Sequence, residues 1–528
     1  MKYNITENDK DTLLQKSLDY KYRLNIKKDG IIMDSVTGLQ SIGNYAIDAE
    51  SQVRRTTSFV LYLEESYADT HIEQKINSWI GYDFILQIGI YNIREDDYIW
   101  YDCGTYTITN ANTAYNAIEN SLSLNLSDWY AKLNSDRNGQ MTGIATIEIP
   151  MEDENGNPIT IQQAGIGVIK QAGITDYIVD DIGEFYGMAQ YNSDYEAYRE
   201  KNPKWNHIPY TLTFNGGCYV SEILEKLKLY PNIQIYFDVY NNLCFDMIPS
   251  CNSDPITLEN DYLQKILLAE NTESVSYDIS SIKNVTEVYG KDFTVDRYCE
   301  SCTTEGNVYQ LSLDSYDGYT SGQIISFEPG SNSIENMSLK INDLEIIPIF
   351  HEFENEYVDI DELVTGKRYC FQIGYTDQYV AYFLGQFQPH GICVLTNSES
   401  DSKYTAQYFA NKYNCDINNV SMRVEPENPF TVQRIGEVFE TKQGDEFDVI
   451  VSDSVAVANA IYYNQKSSTV QDIVTITTKM IPFLDVHQKV TYKKQQDSEV
   501  HQYIIKNITH DLSSLTSQIT LYRFYPLY

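Results

Sequence analysis

The sequence predicts a mainly β protein with α+β parts, divided into several domains. Three observations carry this. The chain has 528 residues, more than one hydrophobic core organises, so it must divide into units with their own cores. Short runs of aromatic and β-branched residues recur along it, alternating with polar ones and separated by Asn, Asp, Gly and Pro, which is the pattern of strands and turns. It also carries 45 tyrosines, whose rings pack on pleated surfaces while their hydroxyls stay hydrated.

Taken in order, residues 5–18 read as a short polar helix. Tyr20 to Ile26 alternates, and Lys28-Asp29-Gly30 makes a turn. Ser58 to Glu64 is a second strand, and Trp79 to Ile90 a longer one, with Gly81 and Gly89 as bulge or turn points. Tyr98 to Thr109 is β, Asn110 to Thr113 a polar turn, and Ser121 to Leu126 a half-buried strand. Ser127 is placed to cap a helical turn carrying Asp128, Trp129, Tyr130 and Leu133. These elements form an antiparallel β domain within residues 1–140.

Residues 141–270 read as an inserted α/β region. Ile144 to Ile149 is a strand, Asn155 to Pro158 a turn, and Ile159 to Gln171 a helix weakened by Gly165 and Gly167. Phe185 to His207 is polar and aromatic; its Glu, Asp and Tyr content would suit a sugar site, but a solvated loop is the plainer reading. Ser221 can cap a helix with Ile223, Leu224 and Leu227 on one face, ended by Pro231. Ile233 to Asp238 and Leu243 to Pro249 form a hairpin over Asn241-Asn242, where Asp238 reads as a turn cap. Residues 271–302 hold two strands around Ile282-Lys283-Asn284. Residues 303–400 carry short strands at sandwich spacing: Asn307 to Leu313, Gln323 to Glu328, Ser338 to Asn342, Ile346 to Ile349, Phe371 to Tyr375 and Tyr382 to Gly385. Residues 401–470 form a mixed connector. It has a helix over Ser402 to Cys415, with Tyr404, Tyr408 and Cys415 on one face and Phe409 further round, and an alanine-rich helix over Ser452 to Gln465. Residues 471–528 are β again, with β pieces at Ile473 to Thr478, Ile481 to Asp485, Val486 to Tyr492, Tyr503 to Ile508 and Gln518 to Tyr525.

Composition excludes some functions. Lys and Arg total 38 and Asp and Glu 75, so 38 − 75 leaves −37. Phosphates repel such a chain, so it does not bind a nucleic-acid backbone for affinity. Hydrophobic content of 42% argues against disorder. No run of about 18 apolar residues predicts a membrane-spanning helix, and the N-terminus has no signal-peptide core. Nine cysteines, an odd and scattered set with Cys299 and Cys302 as the only CxxC, read as free thiols in a reducing compartment. The histidines His71, His207, His351, His390, His487, His501 and His510 are dispersed. His487 and His501 are candidates to meet across neighbouring strands, but zinc needs more ligands. There is no P-loop, GxSxG or HExxH. Carboxylates are everywhere, so no glycosidase-like pair stands out. The sequence therefore assigns no catalytic, cofactor or metal residues.

Three stretches resemble one family. Cys103 to Thr109, a second strand and then Asp128-Trp129-Tyr130-Ala131-Lys132-Leu133 form the first. The helix, Tyr230-Pro231-Asn232, strand, Asp238, hairpin and Ile248-Pro249 form the second. The third is the set Asn428 to Val432 with Ile435-Gly436-Glu437, Ile481 to Tyr492, Tyr503 to Ile508, and Ile519 to Pro526. Together they resemble the baseplate hub proteins of phage tails, specifically tail proteins of phages of low-GC bacteria. Ile324 to Pro329, Ser338 to Leu344 and Leu363 to Tyr369 resemble a small β module of tail and fibre proteins, with Asp343 where that module has glycine. The resemblance implies two tube-type β-barrel domains, one N-terminal and one formed by 271–302 with 471–528, and the 303–400 module displayed outward as a β-sandwich. It implies a non-enzymatic virion protein assembled in the host cytoplasm. Three chains would form a ring of six barrels around the exiting DNA, touching tail-tube, distal-tail, tape-measure and tip, spike or fibre proteins. Two other readings are a receptor-binding or tail-fibre protein that holds host glycan, to which four tryptophans lend little, and a virion-associated cell-wall hydrolase, for which no appended domain is visible.

Overall fold

The structure is a computed structural model. It describes residues 5–37, 41–62, 79, 81–115, 120–136, 139–141, 146–171, 207–208, 211–229, 233–247, 251, 256–268, 273–292, 297–299, 302–351, 356–386, 388–398, 400–468 and 471–523.

The fold is mainly β and multi-domain. Its largest sheet has 13 strands and draws on both ends of the chain. From one edge it runs Glu273–Asp278, Gln471–Lys479, Thr516–Tyr522, His501–Asp511, Ser41–Asp48, Arg55–Tyr62, Asn120–Asp128, Asp97–Tyr115, Asp83–Asn92, Tyr20–Lys28 and Ile31–Thr37. Lys489–Tyr492 lies on His501–Asp511, and Ile256–Leu258 on Lys489–Tyr492. The N-terminal and C-terminal units meet in the antiparallel pair Ser41–Asp48 with His501–Asp511, in register Tyr45 to His510 and Ile47 to Ile508. One core backs the seam. Leu24, Phe84 and Leu124 come from the first unit, and Ile476, Phe483 and Ile519 from the second.

Local chemistry sets the details. Asp29 and Gly30, both at positive φ, turn Tyr20–Lys28 into Ile31–Thr37. The strand Asp97–Tyr115 runs straight through Asn110 to Thr113, where the sequence predicts a turn. A register shift at Ile108/Asn110 absorbs the irregularity, and Ala111 to Thr113 pair with Leu122 to Leu124. Asp128, not Ser127, caps the turn Trp129–Lys132 by accepting the Tyr130 N–H; a carboxylate is the stronger acceptor for the exposed end of a turn.

A second core joins the inserted region to the connector. The helix Val220–Leu229 buries Ile223, Leu224 and Leu227 as its spacing predicts. Ser221 lies within that helix. Gly165, in the helix Ile161–Gln171, lies against Phe245 and Leu224, so the glycine that weakens the helix also allows its close packing. A four-stranded sheet runs Val420–Val424, His390–Thr396, Val285–Tyr289, Phe439–Lys442. Here the structure departs from expectation. Glu273–Asp278 joins the C-terminal strands, but Val285–Tyr289 does not follow it. It pairs His390–Thr396 antiparallel and Phe439–Lys442 parallel. Val285 to Val288 are all buried, and a strand covered on both faces belongs inside a mixed sheet, not on an exposed barrel wall.

The third unit is an eight-stranded sheet over Arg297–Cys299 to Tyr379–Gln386. Its core contains Tyr309, Phe327, Leu339, Ile349 and Phe371. His390–Thr396 lies outside it. In the connector the helix is Ala406–Tyr413, capped by Thr405. Its deepest residue is Phe409, which the sequence puts off the main face; the helix starts at Ala406, so Tyr404 lies outside it.

Candidate functional site

Among the described residues, two clusters of charged side chains away from bulk water join different parts of the chain. The first is behind the seam. Arg54 and Arg55 are consecutive at the start of Arg55–Tyr62, and alternation aims them in different directions. Arg55 is almost fully buried. Its Nη2 donates to Asp485 Oδ2 at 2.5 Å, its Nη1 to the Phe237 carbonyl at 2.8 Å, and its backbone N–H to Asp128 Oδ2 at 2.8 Å. Arg54 donates from Nη2 to Gln234 Oε1 at 2.7 Å and lies 3.7 Å above the Tyr236 ring. Burial pushes the Asp128 carboxyl up to about 6, against the Arg55 N–H that holds it down. Two adjacent arginines thus tie an N-terminal strand, the inserted hairpin and the C-terminal segment together. Beside them Tyr45 and His510 stack at 5.0 Å, and His510 Nδ1 shares a hydrogen bond with Ser517 Oγ. Burial drives the imidazole down to about 3, so it is neutral. The Ser517 hydroxyl and the His510 imidazole beside it are both fully buried, so no substrate reaches them. The cluster is a fastening.

The second place is a cavity of about 390 Å³ between the eight-stranded unit and the connector. From the first come His351, Glu362, Tyr369 and Phe383; from the second come Asp416, Asn419 and Asp453. No lysine or arginine is among the described residues lining it. His351 ends the strand Ile347–His351, and the turn after it returns Asp359 and Glu362. Glu362 Oε2 accepts the Asp359 N–H at 2.7 Å and lies 3.3 Å from His351 Nε2. One nitrogen or oxygen of each of the three residues lies within 4.8 Å of the other two. Across the cavity, Asp453 Oδ1 accepts the His390 N–H at 2.9 Å. Burial pushes the Asp453 carboxyl up to about 7. Gly385, at φ +108°, lies against that carboxylate; a Cβ there would fall 2.1 Å from Asp453 Oδ2, so only glycine fits.

The remaining candidates separate. His487 donates its backbone N–H to Ile505, whereas His501 pairs with Tyr492. The two imidazoles are thus four residues apart along one ladder, roughly 13 Å, and do not meet. His501 pairs instead with Asp497, at 2.9 Å. His390 stacks on Tyr289 and lies 3.5 Å from Glu287. His207 stands in an isolated bridge with Thr160. His71 and residues 185–206 lie outside the described residues. Cys299 and Cys302 form no disulfide, and burial pushes the Cys302 thiol up to about 11, away from reactivity. Asp238 accepts N–H groups of Tyr240 and Asn242 and so holds the hairpin turn. Sequence reasoning missed the grouping of His351 with Asp359 and Glu362. The His-to-Glu spacing carries no helical or CxxC-like period, so no signal marked it.

Residues 427–528 match the family described as Domain of unknown function (DUF5048). No curated protein matches the chain. Among solved structures, the chain is similar to the 43 kDa tail protein of prophage MuSo2 from Shewanella oneidensis, at 11% identity and a TM-score of 0.41, over 95% of this chain and 98% of that one. It is similar to a tail protein from Neisseria meningitidis MC58, at 6% identity and a TM-score of 0.43, over 95% and 96%. It is also similar to prophage tail protein gp18 from Listeria monocytogenes EGD-e, at 9% identity and a TM-score of 0.40, over 95% and 94%. No described helix is long and apolar enough to cross a membrane.

Proposed function

We propose that this chain is a structural virion protein, the hub at the distal end of a phage tail. It joins the tail tube to the tip and surrounds the path of the exiting DNA. The observation that carries this reading is the joining of the two chain ends. The N-terminal and C-terminal β units share one 13-stranded sheet and one core, and Arg55 and Asp485 tie them with a buried ion pair. That is the construction of a rigid ring segment from which the intervening units project. The strands of the first stretch that resembles hub proteins and most of the third fall in these units, whereas the second lies in the inserted region.

In this reading the protein is not an enzyme. It works as a homotrimer, so three chains present six β units to a sixfold tube. A heterologous interface repeated about an axis must close or it grows into filaments. Its neighbours are tail-tube, distal-tail, tape-measure and tip, spike or fibre proteins. The protein is assembled in the host cytoplasm and ends in the virion. Part of the −37 charge faces the channel and keeps DNA sliding. The test is the mass and symmetry of the tail tip assembled with tagged protein. Three copies in one ring are expected; six copies, or a stable monomer in the mature tail, overturn the assignment.

A further inference from the structure

We propose that His351, Asp359 and Glu362 form a binding site for a first-row divalent cation, of the Zn²⁺ or Mn²⁺ class, at the base of the eight-stranded unit. The inference goes beyond the hub reading and does not depend on it. Three donors of metal-ligand type converge: an imidazole nitrogen and two carboxylates, each with an atom within 4.8 Å of the others. One nitrogen with two carboxylate oxygens is a common donor set for such ions, with water completing the shell.

The spacing fits. A tetrahedral ion with bonds of about 2.0–2.1 Å holds its ligand atoms about 3.3 Å apart. The His351 Nε2 to Glu362 Oε2 separation is 3.3 Å. A charge-assisted hydrogen bond between the same atoms would be shorter, about 2.7–2.9 Å. The ligands are also oriented by the backbone. The Asp359 N–H holds Glu362 Oε2 at 2.7 Å, and the His351 N–H is fixed on the Glu356 carbonyl at 2.9 Å. Partners of this kind orient ligands in metal sites.

The surroundings supply the reason for a cation. Glu362 stands half-buried on the same turn as Asp359, with its carboxylate against the His351 imidazole. The adjoining cavity adds Asp416 and has no lysine or arginine among its described lining residues. A bound cation would neutralise Glu362 and Asp359 together and lock the turn 359–362 onto the end of Ile347–His351. That turn faces the connector, so the ion would stiffen the joint between the two units. The imidazole sets the selectivity: Ca²⁺ and Mg²⁺ prefer all-oxygen shells.

The experiment is calorimetric titration of the full chain at pH 7 with Zn²⁺, Mn²⁺, Ca²⁺ and Mg²⁺, with melting curves recorded beside it. The proposal expects a Zn²⁺ or Mn²⁺ site of micromolar affinity and a rise of several degrees in melting temperature. Both should fall at least tenfold or vanish in His351→Gln and in Glu362→Gln. Both should persist in His501→Gln, which breaks the His501–Asp497 pair. Glu362→Gln keeps the size of the side chain, and metal-free melting curves show whether each variant is folded. A folded Glu362→Gln or His351→Gln that binds as wild type overturns the site. So does a wild-type chain that binds neither Zn²⁺ nor Mn²⁺ at 100-fold molar excess, or one that prefers Ca²⁺.

Discussion

Arg55 is the residue on which the join depends. It bonds to Asp485, the Phe237 carbonyl and Asp128 from inside the core, so removing it strands a buried carboxylate. Arg55→Ala should cost about 3–5 kcal/mol of stability, because the uncompensated charge is the main penalty. The double change Arg55→Met with Asp485→Leu should cost clearly less, as chemical denaturation of the three variants would show. Next to it, His510 stays neutral well below the ordinary value of 6.5, down to about 3. As pH falls from 6.5 toward 3, the unfolded chain gains a proton that the folded chain refuses. The stability present above pH 6.5 is therefore lost through that window, at up to about 1.4 kcal/mol per pH unit. His510→Asn should flatten the slope by one proton when unfolding midpoints are followed from pH 7 to pH 4. Asp453 has the opposite sign. Its carboxyl, raised from 3.8 to about 7, keeps its proton in the folded chain while the unfolded chain loses it. That contribution is full below pH 3.8 and disappears as pH rises through 7. Asp453→Asn should therefore gain on wild type as pH rises from 4 to 8.

Among the elements, the helix Asp453–Ser467 packs closely on the strand His390–Thr396. A Cβ on Gly391 would lie 2.2 Å from the backbone of Ala456 and Val457. Ala456 and Ala460 are the small residues that let the helix down onto the strand. Gly391→Ala should therefore destabilise by about 1–3 kcal/mol through overpacking, measurable as a lower melting temperature. The alanines were legible in the sequence as helix formers. Their second role was not, because it depends on which strand lies beneath. The same holds for Val285–Tyr289. Its apolar run marked it as a strand, but periodicity does not name a partner, and the chain on either side of it belongs to two other sheets.

For the whole molecule, the eight-stranded unit has its own core, and its ends both lie near the connector: Lys291 donates to the Ile450 carbonyl, and Gln388 to the Gly290 carbonyl. Replacing residues 297–386 with a short Gly/Ser bridge should leave the remainder folded, since neighbouring ends ease closure. Loss of the 13-strand sheet signal by circular dichroism, or global aggregation, would show that the unit is integral.

The residues alone determined the local forms. Alternation of aromatic and β-branched residues marked most strands, and Asp29-Gly30 and Asn241-Asn242 marked two turns. Each of these depends on neighbours within a few positions, so each is written in the sequence. Only the tertiary structure decided which strands pair. It brought Ser41–Asp48 to His501–Asp511 across nearly the whole chain, set Arg55 against Asp485, and gathered His351, Asp359 and Glu362 beside a cavity closed by Asp416 and Asp453. The physical reason is that pairing register and buried charge compensation are long-range. A strand offers the same backbone donors to any edge, and a single arginine or histidine carries no label for the carboxylate that will face it.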